Sequence, residues 1–265
     1  MKDRIKSLGA DKQRYITGAL LVAALALILL LNSTLLIWFV LGALFVIALR
    51  ESLAFYSLES AWHFYAWSVL LWISVYFTKT PLYNGLCVLI VYASYIAYNK
   101  KLPLKVLLPF LYPALPFLCI WSVYESFGRL GLICLIVVVA CTDIGAYFGG
   151  RLFGKTPFSP TSPKKTIEGV IIGVACGTTL GSVLCLGITH SFFVAVLVAF
   201  CIALSSVFGD LFESYLKREV NLKDSGSIFP GHGGVLDRVD ALLFGAVIML
   251  FALSALPLYS EIYFS

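Results

Sequence analysis

Charged residues are scarce in this chain, and their scarcity excludes most classes of soluble protein. Only 12% of its 265 residues are Asp, Glu, Lys or Arg, whereas about 25% is usual for a soluble domain. Hydrophobic residues make up 60%, and they form runs close to the roughly 20 residues that a helix needs to cross a bilayer. The composition therefore predicts an all-α, polytopic integral membrane protein.

Cysteine patterns that bind metals or form disulfides are also missing. The seven cysteines contain no C-x-x-C pair, their number is odd, and each lies in an apolar run. We expect them to act as small hydrophobic core residues, without zinc, iron–sulfur or disulfide chemistry. The net charge of +5 is explained by orientation signals and by attraction to anionic headgroups, so membrane lipids are expected partners and nucleic acid is not.

About nine candidate transmembrane helices can be placed. Loops rich in Lys and Arg alternate with loops poor in them along the chain. If the N-terminus lies in the cytoplasm, all but two of the 19 Lys and Arg residues lie on the cytoplasmic face. The two exceptions are Lys79 and Arg129. The pattern predicts a cytoplasmic N-terminus and a C-terminus outside. The candidate spans are residues 15–31, 34–49, 62–77, 82–98, 106–123, 130–150, 169–188, 190–209 and 238–257.

The character of the sequence changes near residue 128. Residues 1–127 are predicted to form a transmembrane scaffold, in which Arg50 and Glu51 make a short charged turn. Residues 128–265 are predicted to form the catalytic region, because acidic residues enter its apolar segments. Prolines should kink the fifth span, and glycines at four-residue spacing should allow close helix packing. The prolines are Pro109, Pro113 and Pro116, and the glycines are Gly169, Gly173, Gly177 and Gly181.

Acidic residues at helical spacing form the first candidate site. Asp210, Glu213 and Lys217 share one helical face. Ser214 lies beside them. Carboxylates this close to hydrocarbon need a partner, because an isolated charge there is costly. Either a divalent cation or Lys and Arg side chains would supply that partner.

A second acidic pair, Asp237 and Asp240, begins the last predicted helix, where unpaired N–H groups favour anions. Carboxylates on two helix ends can bracket Mg²⁺, which prefers oxygen ligands and usually keeps waters and substrate phosphates as the others. The alternative is a local salt-bridge cluster of Asp237, Arg238 and Asp240.

A glycine-rich turn between these pairs predicts a triphosphate site. Gly233 and Gly234 follow His232 and could direct backbone N–H groups toward an anion. His232 would donate a hydrogen bond or, as the weaker alternative, carry a proton. Four cations surround the turn, namely Lys217, Arg218, Lys223 and Arg238.

A second cytoplasmic loop also has phosphate-binding composition. Lys164 and Lys165, with the hydroxyls of Ser162 and Thr166, precede a predicted helix. The alternative is that the two lysines only follow the positive-inside rule.

Asp143 lies about two turns before the end of the sixth predicted span. An acid at this depth is a functional candidate. Its structural alternative is an interhelical hydrogen bond to a Tyr, Ser or Lys side chain.

Residues 214–240 together form a long signature. Its specified positions are Ser214, Leu216, Lys217, Arg218, Lys223, Asp224, Gly226, Phe229, Pro230, His232, Gly233, Gly234, Val235, Asp237, Arg238, Val239 and Asp240. This pattern resembles the signature of the phosphatidate cytidylyltransferases, also called CDP-diacylglycerol synthases. The loop around Lys164 and the Asp143-x-Gly145-Ala146-Tyr147 segment are similar to the family as well, whereas the N-terminal half matches only in being hydrophobic and multi-spanning.

The resemblance implies an enzyme that joins CTP and phosphatidic acid into CDP-diacylglycerol and pyrophosphate. It also implies Mg²⁺ as cofactor, with a second cation left open, and a membrane-embedded homodimer. Asp210 and Asp237 are the expected main metal ligands, with Glu213, Asp240 and Asp143 as secondary ones. Cations expected to neutralise phosphates are Lys164, Lys165, Lys217, Arg218 and Arg238. The remaining expected substrate-binding residues are Ser162, Thr166, Ser214, Lys223, Asp224, Gly233 and Gly234, and His232 is expected among the catalytic ones.

Two alternatives remain open from the residues. A CTP-dependent polyprenol or dolichol kinase would share a membrane-bound CTP site but transfer the γ-phosphoryl group. An ion-coupled transporter would use intramembrane acids as an ion path, although most acids here cluster at predicted cytoplasmic helix ends. The expected location is a bacterial inner membrane, with the active site on the cytoplasmic side.

Overall fold

Long helices account for most of the molecule. The computed structural model describes residues 2–59, 61–99, 102–229 and 233–255, with side chains from residue 17 onward. Apolar runs adopt helices because every backbone polar group inside a bilayer must be paired within the protein. In chain order the helices are α1 (Lys2–Leu31), α2 (Thr34–Phe55), α3 (Trp62–Phe77), α4 (Pro81–Asn99), α5 (Leu115–Phe153), α6 (Ile167–Thr189), α7 (Phe192–Glu219) and α8 (Leu236–Ser254).

Five helical stretches in the described part of the chain are long and apolar enough to cross a membrane. The predicted all-α membrane architecture agrees with them, but the predicted count of nine spans is not confirmed by length and composition. One reason is that α3 has only 16 residues, and another is that the fifth and sixth predicted spans fall within a single 50-residue stretch. The five stretches are Thr34–Phe55, Pro81–Asn99, Leu104–Phe153, Ile167–Thr189 and Phe192–Glu219.

The long stretch that contains α5 is interrupted twice. Before α5, the chain makes a 3₁₀ turn at Leu104–Leu107 and a π turn at Phe110–Ala114, where Tyr112 is extended at φ −140° and ψ 119°. The kink predicted from the prolines is therefore confirmed. Within α5, Gly128 has φ 59° and ψ −155°, a conformation that disfavours side chains. It divides α5 into two arms.

Helix α6 packs closely against the second arm of α5. A Cβ added to Gly173 would lie 2.5 Å from the carbonyl oxygen of Thr142, and one added to Gly169 would lie 2.8 Å from that of Ala146. Only glycine lets the two backbones approach to this distance. The close packing predicted from the glycine spacing is confirmed.

Two cysteines depart from the sequence-based expectation. Cys134 of α5 and Cys185 of α6 form a disulfide, with Cα atoms 6.1 Å apart. The expectation that no cysteine is disulfide-bonded is therefore wrong for this pair. The two residues are 51 positions apart, so only the close packing of α5 on α6 brings them together.

Aromatic side chains hold α2 against its neighbours in the N-terminal half. The rings of Phe45 and Trp72 stack with centroids 4.9 Å apart. The indole N–H groups of Trp38 and Trp72 donate to each other's carbonyl oxygens at 3.2 and 3.1 Å. These contacts pair buried polar groups within an apolar core. They also hold α2 in place, and the C-terminal end of α2 reaches the candidate active site.

Candidate active site

A polar cavity of about 360 Å³ lies where α5, α7 and α8 meet. Charged side chains are costly close to hydrocarbon and are therefore functional candidates. The cavity gathers residues that the sequence placed in separate motifs. Its lining residues are Val139, Asp143, Asp210, Lys217, Asp224, Asp237, Arg238, Asp240 and Ala241.

Lys217 connects the two predicted acidic pairs. Its Nζ donates to Glu213 Oε2 and to Asp237 Oδ1, each at 2.7 Å. Helical spacing accounts for the contact with Glu213, whereas the contact with Asp237 requires α7 to pack on α8. Gly209 permits that packing, since a Cβ there would lie 2.6 Å from the carbonyl oxygen of Asp240. The connected side chains are well buried, with Lys217 11%, Glu213 0% and Asp237 6% exposed.

Asp237 is held by several donors at once. Its Oδ2 accepts the N–H groups of Ser225 and Gly234, both at 2.8 Å, and lies 2.9 Å from the Ser225 hydroxyl oxygen. The residue lies outside the five candidate spans. Burial alone would raise the pKa of Asp237, but Lys217 and these N–H groups outweigh burial and hold the pKa below its ordinary value. Asp237 is therefore ionised at neutral pH.

A short hairpin brings Lys165 to the cavity. Strands β1 (Pro157–Ser159) and β2 (Ser162–Thr166) pair antiparallel. Lys165 Nζ lies 2.5 Å from Asp210 Oδ2. Because successive residues of a strand face opposite sides, Lys164 faces away from Asp210, and it is exposed. The hairpin thus separates two lysines that are adjacent in sequence.

The hairpin is anchored at its base. Glu168 accepts hydrogen bonds from the N–H groups of Lys155 and Thr156 at 3.1 and 3.2 Å. Thr166 caps α6 by accepting the N–H of Gly169 at 3.2 Å, which satisfies one of the unpaired N–H groups at the helix start. These bonds set the position of the hairpin relative to α5 and α6.

No cluster of three or more Asp, Glu, His or Cys side chains is ready to hold a metal ion in the described part of the chain. Lysine ammonium groups occupy the space between carboxylates, since Lys217 bridges two of them and Lys165 is paired with Asp210. The oxygen atoms still suit a hard cation. Oε1 of Glu213 is buried without a hydrogen-bond partner, and Asp240 lines the same cavity.

Several other predicted residues also meet at the cavity. Ser214 Oγ donates to Asp210 Oδ1 at 3.3 Å. Asp143 reaches the lining from α5, Asp224 from the connection between α7 and α8, and Arg238 from the first turn of α8.

The remaining predicted substrate-binding residues are outside the lining of this cavity. Arg218 and Lys223 are exposed, and Arg218 donates to the carbonyl oxygen of Leu222 at 3.3 Å. Their predicted roles stay predictions. The residues concerned are Ser162, Lys164, Thr166, Arg218, Lys223, Gly233 and Gly234, and the predicted His232 falls outside the described residues.

Glu51 is a residue of the site region that the sequence did not reveal. It lies in α2 and is only 7% exposed, so its assignment to a charged scaffold turn is wrong. Its carboxylate accepts Ser225 Oγ at 3.0 Å and the N–H groups of Val235 and Leu236 at 3.0 and 2.9 Å. The partners are 174 to 185 positions away. The one available signal was an acidic residue within an apolar helix.

Similarity to known proteins identifies the family of this chain. The sequence pattern of the Cytidylyltransferase family matches residues 12–256. The chain belongs to that family. Proteins named phosphatidate cytidylyltransferase from two strains of Helicobacter pylori are 47% and 46% identical to this cytidylyltransferase, over 96% and 95% of its length and 94% and 95% of theirs. An Arabidopsis thaliana protein named phosphatidate cytidylyltransferase 4, chloroplastic, is 43% identical over 51% of the chain and 36% of its own length. The resemblance predicted from the signature is confirmed.

Proposed function

We propose that this cytidylyltransferase transfers the cytidylyl group of CTP to phosphatidic acid, giving CDP-diacylglycerol and pyrophosphate in phospholipid biosynthesis. The observation that carries the proposal is the cavity between α5, α7 and α8, where carboxylates and cations meet at the ends of apolar helices. A nucleoside triphosphate needs the polar cavity, and a lipid substrate needs the apolar surface around it. The names of the Helicobacter relatives point to the same reaction.

The chemistry requires positioning and charge neutralisation. A phosphate oxygen of phosphatidic acid attacks the α-phosphorus of CTP and forms a new P–O bond. The bond between the α-phosphorus and its bridging oxygen breaks, and pyrophosphate leaves with that electron pair. No protein nucleophile takes part, so the protein contributes by aligning the two phosphates and stabilising the charge on the leaving group.

The positions of the cations suggest different roles. Lys165 is paired with Asp210 and would exchange that carboxylate for a phosphate oxygen when CTP binds. Arg238 lines the cavity and would neutralise phosphate charge directly. Lys217 is held between two carboxylates, so we assign it to orienting Asp237 and Glu213.

The proposed cofactor is Mg²⁺, because the cavity lining is rich in hard oxygen ligands. Asp210 and Asp237 would be the main ligands of the ion, with Glu213, Asp240 and Asp143 as further ligands or supports. Bound there, Mg²⁺ would neutralise charge on the triphosphate and on the leaving pyrophosphate.

We also propose nine membrane crossings with the N-terminus and the active site in the cytoplasm. The break at Gly128 supports this proposal, because it divides the 50-residue stretch Leu104–Phe153 into two arms. Helices α1, α3 and α8 would supply the additional crossings. The distribution of Lys and Arg supports the orientation, the bacterial relatives support an inner-membrane location, and the homodimer remains a prediction from the resemblance.

The decisive experiment uses purified protein in detergent with phosphatidic acid, Mg²⁺ and CTP labelled at either the α- or the γ-phosphate. We expect α-label in the lipid fraction, and we expect EDTA to abolish the transfer. Label from the γ-phosphate in lipid would instead indicate a CTP-dependent lipid kinase. No lipid label from either position would refute both enzymes and return attention to an ion-coupled transporter, tested by flux in proteoliposomes.

A further inference from the structure

The start of α8 receives no cap from the residue that precedes it. The residue preceding the helix, Val235, is helical at φ −68° and ψ −44° and provides no side-chain cap. The first N–H groups of a helix lack intrahelical partners, so something else must satisfy them. Here the N–H groups of Val235 and Leu236 donate to Glu51. The N–H of Gly234 donates to Asp237, and that of Asp237 donates to Ser225 Oγ at 3.3 Å.

Glu51 is well placed to stabilise this helix start. A carboxylate at a helix N-terminus interacts favourably with the helix dipole. A buried carboxylate is costly unless it is hydrogen-bonded. Glu51 accepts the N–H groups of Val235 and Leu236 and shares the single hydroxyl proton of Ser225 with Asp237. The scaffold helix α2 therefore holds the loop and the helix start that carry the cavity residues.

Two glycines of the signature leave room for this carboxylate. A Cβ on Gly234 would lie 2.5 Å from both carboxylate oxygens of Glu51, and a Cβ on Gly226 would overlap Oε1 of Glu51. The structure thus supplies a reason for glycine at both positions that does not involve phosphate. The two glycines therefore allow the Glu51 carboxylate to approach the backbone of the loop closely.

Ser225 links Glu51 to the cavity. Its hydroxyl lies 3.0 Å from Glu51 Oε2 and 2.9 Å from Asp237 Oδ2. Asp237 in turn contacts Lys217. A displacement of the Ser225 loop or of the start of α8 would therefore change the direction in which Asp237 faces the cavity.

We propose that Glu51 is a positioning residue for cytidylyl transfer. Within the described part of the chain its hydrogen bonds go to Ser225, Val235 and Leu236, none of which lines the cavity. It acts by fixing the Ser225 loop and the start of α8, so that Asp237 and Arg238 face the substrates. The inference rests on the proposed function for its catalytic consequence, but its structural part can be measured without turnover.

The test compares Glu51→Gln with Glu59→Gln in the full-length protein in detergent. Glu59 is an exposed glutamate on the same half of the chain, which makes it a matched control. Gln keeps the size of Glu but can offer only one acceptor oxygen. We expect kcat in Glu51→Gln to fall about 10- to 100-fold, since hydrogen bonds to a charged group are lost, with KM for phosphatidic acid within about twofold of wild type.

A second readout separates positioning from general stability. Hydrogen exchange in peptides covering residues 222–240 should become faster in Glu51→Gln, while the thermal midpoint and the exchange of α3 and α4 should match those of Glu59→Gln. Ser225→Ala, which removes the link between Glu51 and Asp237, should also lower kcat. This second variant carries the test if Glu51→Gln does not fold.

Unchanged kcat in both Glu51→Gln and Ser225→Ala would overturn the proposal. A fall in kcat with unchanged exchange in residues 222–240 would overturn it as well. In both cases α-label transfer by the wild type would leave the proposed function standing. If the wild-type protein shows no cytidylyl transfer, both the proposed function and the catalytic role of Glu51 are refuted. The hydrogen-exchange data would then test only whether Glu51 stabilises the start of α8.

Discussion

Removing the charge of Lys217 should destabilise the protein far more than removing an exposed cation. Its Nζ lies 2.7 Å from both Glu213 Oε2 and Asp237 Oδ1. Lys217→Met preserves most of the side-chain volume but leaves two buried carboxylates without their shared cation. Removing one partner of a buried ion pair costs about 3–5 kcal/mol. We expect the free energy of unfolding to fall by about that amount, and turnover to be lost.

The assay is denaturant-induced unfolding in mild detergent, followed by tryptophan fluorescence. Lys105→Met is the control, since Lys105 is exposed before α5, and it should change the free energy of unfolding by no more than about 0.5 kcal/mol. Adding Glu213→Gln to Lys217→Met removes one of the two stranded charges and should recover part of the loss. A Lys217→Met protein as stable as the Lys105→Met control would refute the reasoning.

Three further substitutions test the site and the packing around it. Asp210→Asn should lower kcat by at least about 100-fold, the scale of losing a group that stabilises charge in the transition state, with an unchanged thermal midpoint. Lys165→Ala should raise KM for CTP roughly tenfold, as expected for one lost charge-assisted hydrogen bond, whereas Lys164→Ala should change it much less because Lys164 faces away from Asp210. Gly177→Leu should destabilise the protein by about 1–3 kcal/mol or more, because a side chain there overlaps the hydroxyl of Thr142; thermal unfolding measures it.

Each of these predictions has an outcome that would contradict it. Normal turnover in Asp210→Asn would remove this residue from the proposed metal and phosphate site. Equal effects of the two lysine substitutions would mean that the hairpin does not distinguish them. A Gly177→Leu protein that unfolds like the wild type would show that α5 and α6 are not packed as closely as described.

Local patterns predicted the membrane class and the motifs well. The scarcity of charge, the glycine spacing of α6 and the prolines before α5 each act through neighbouring backbone, so their consequences can be inferred without a fold. The i, i+4 contact between Glu213 and Lys217 is of the same kind, because helical spacing alone brings the two side chains together. The signature resemblance also depends on local spacing.

Contacts between distant segments could not be predicted in this way. Nothing near Lys217 in sequence indicates that its second partner is Asp237, which is 20 positions away. Lys164 and Lys165 are adjacent and chemically identical in the sequence. Only the strand geometry shows that Lys165 is the one that faces Asp210. The number of spans was also hard to infer, because length and composition treat Leu104–Phe153 as one stretch although Gly128 breaks it into two arms.

Composition and motif spacing are properties of the chain alone, and they were enough to predict a helical membrane protein of the Cytidylyltransferase family. Contacts between distant residues emerge from the packed fold instead: Lys217 shields two carboxylates, Cys134 meets Cys185, and Glu51 caps α8 from 185 positions away. These contacts exist because helices pack side by side at distances set by small residues and buried aromatics. The packing determines which helix faces meet, and buried charged side chains on those faces then pair with each other.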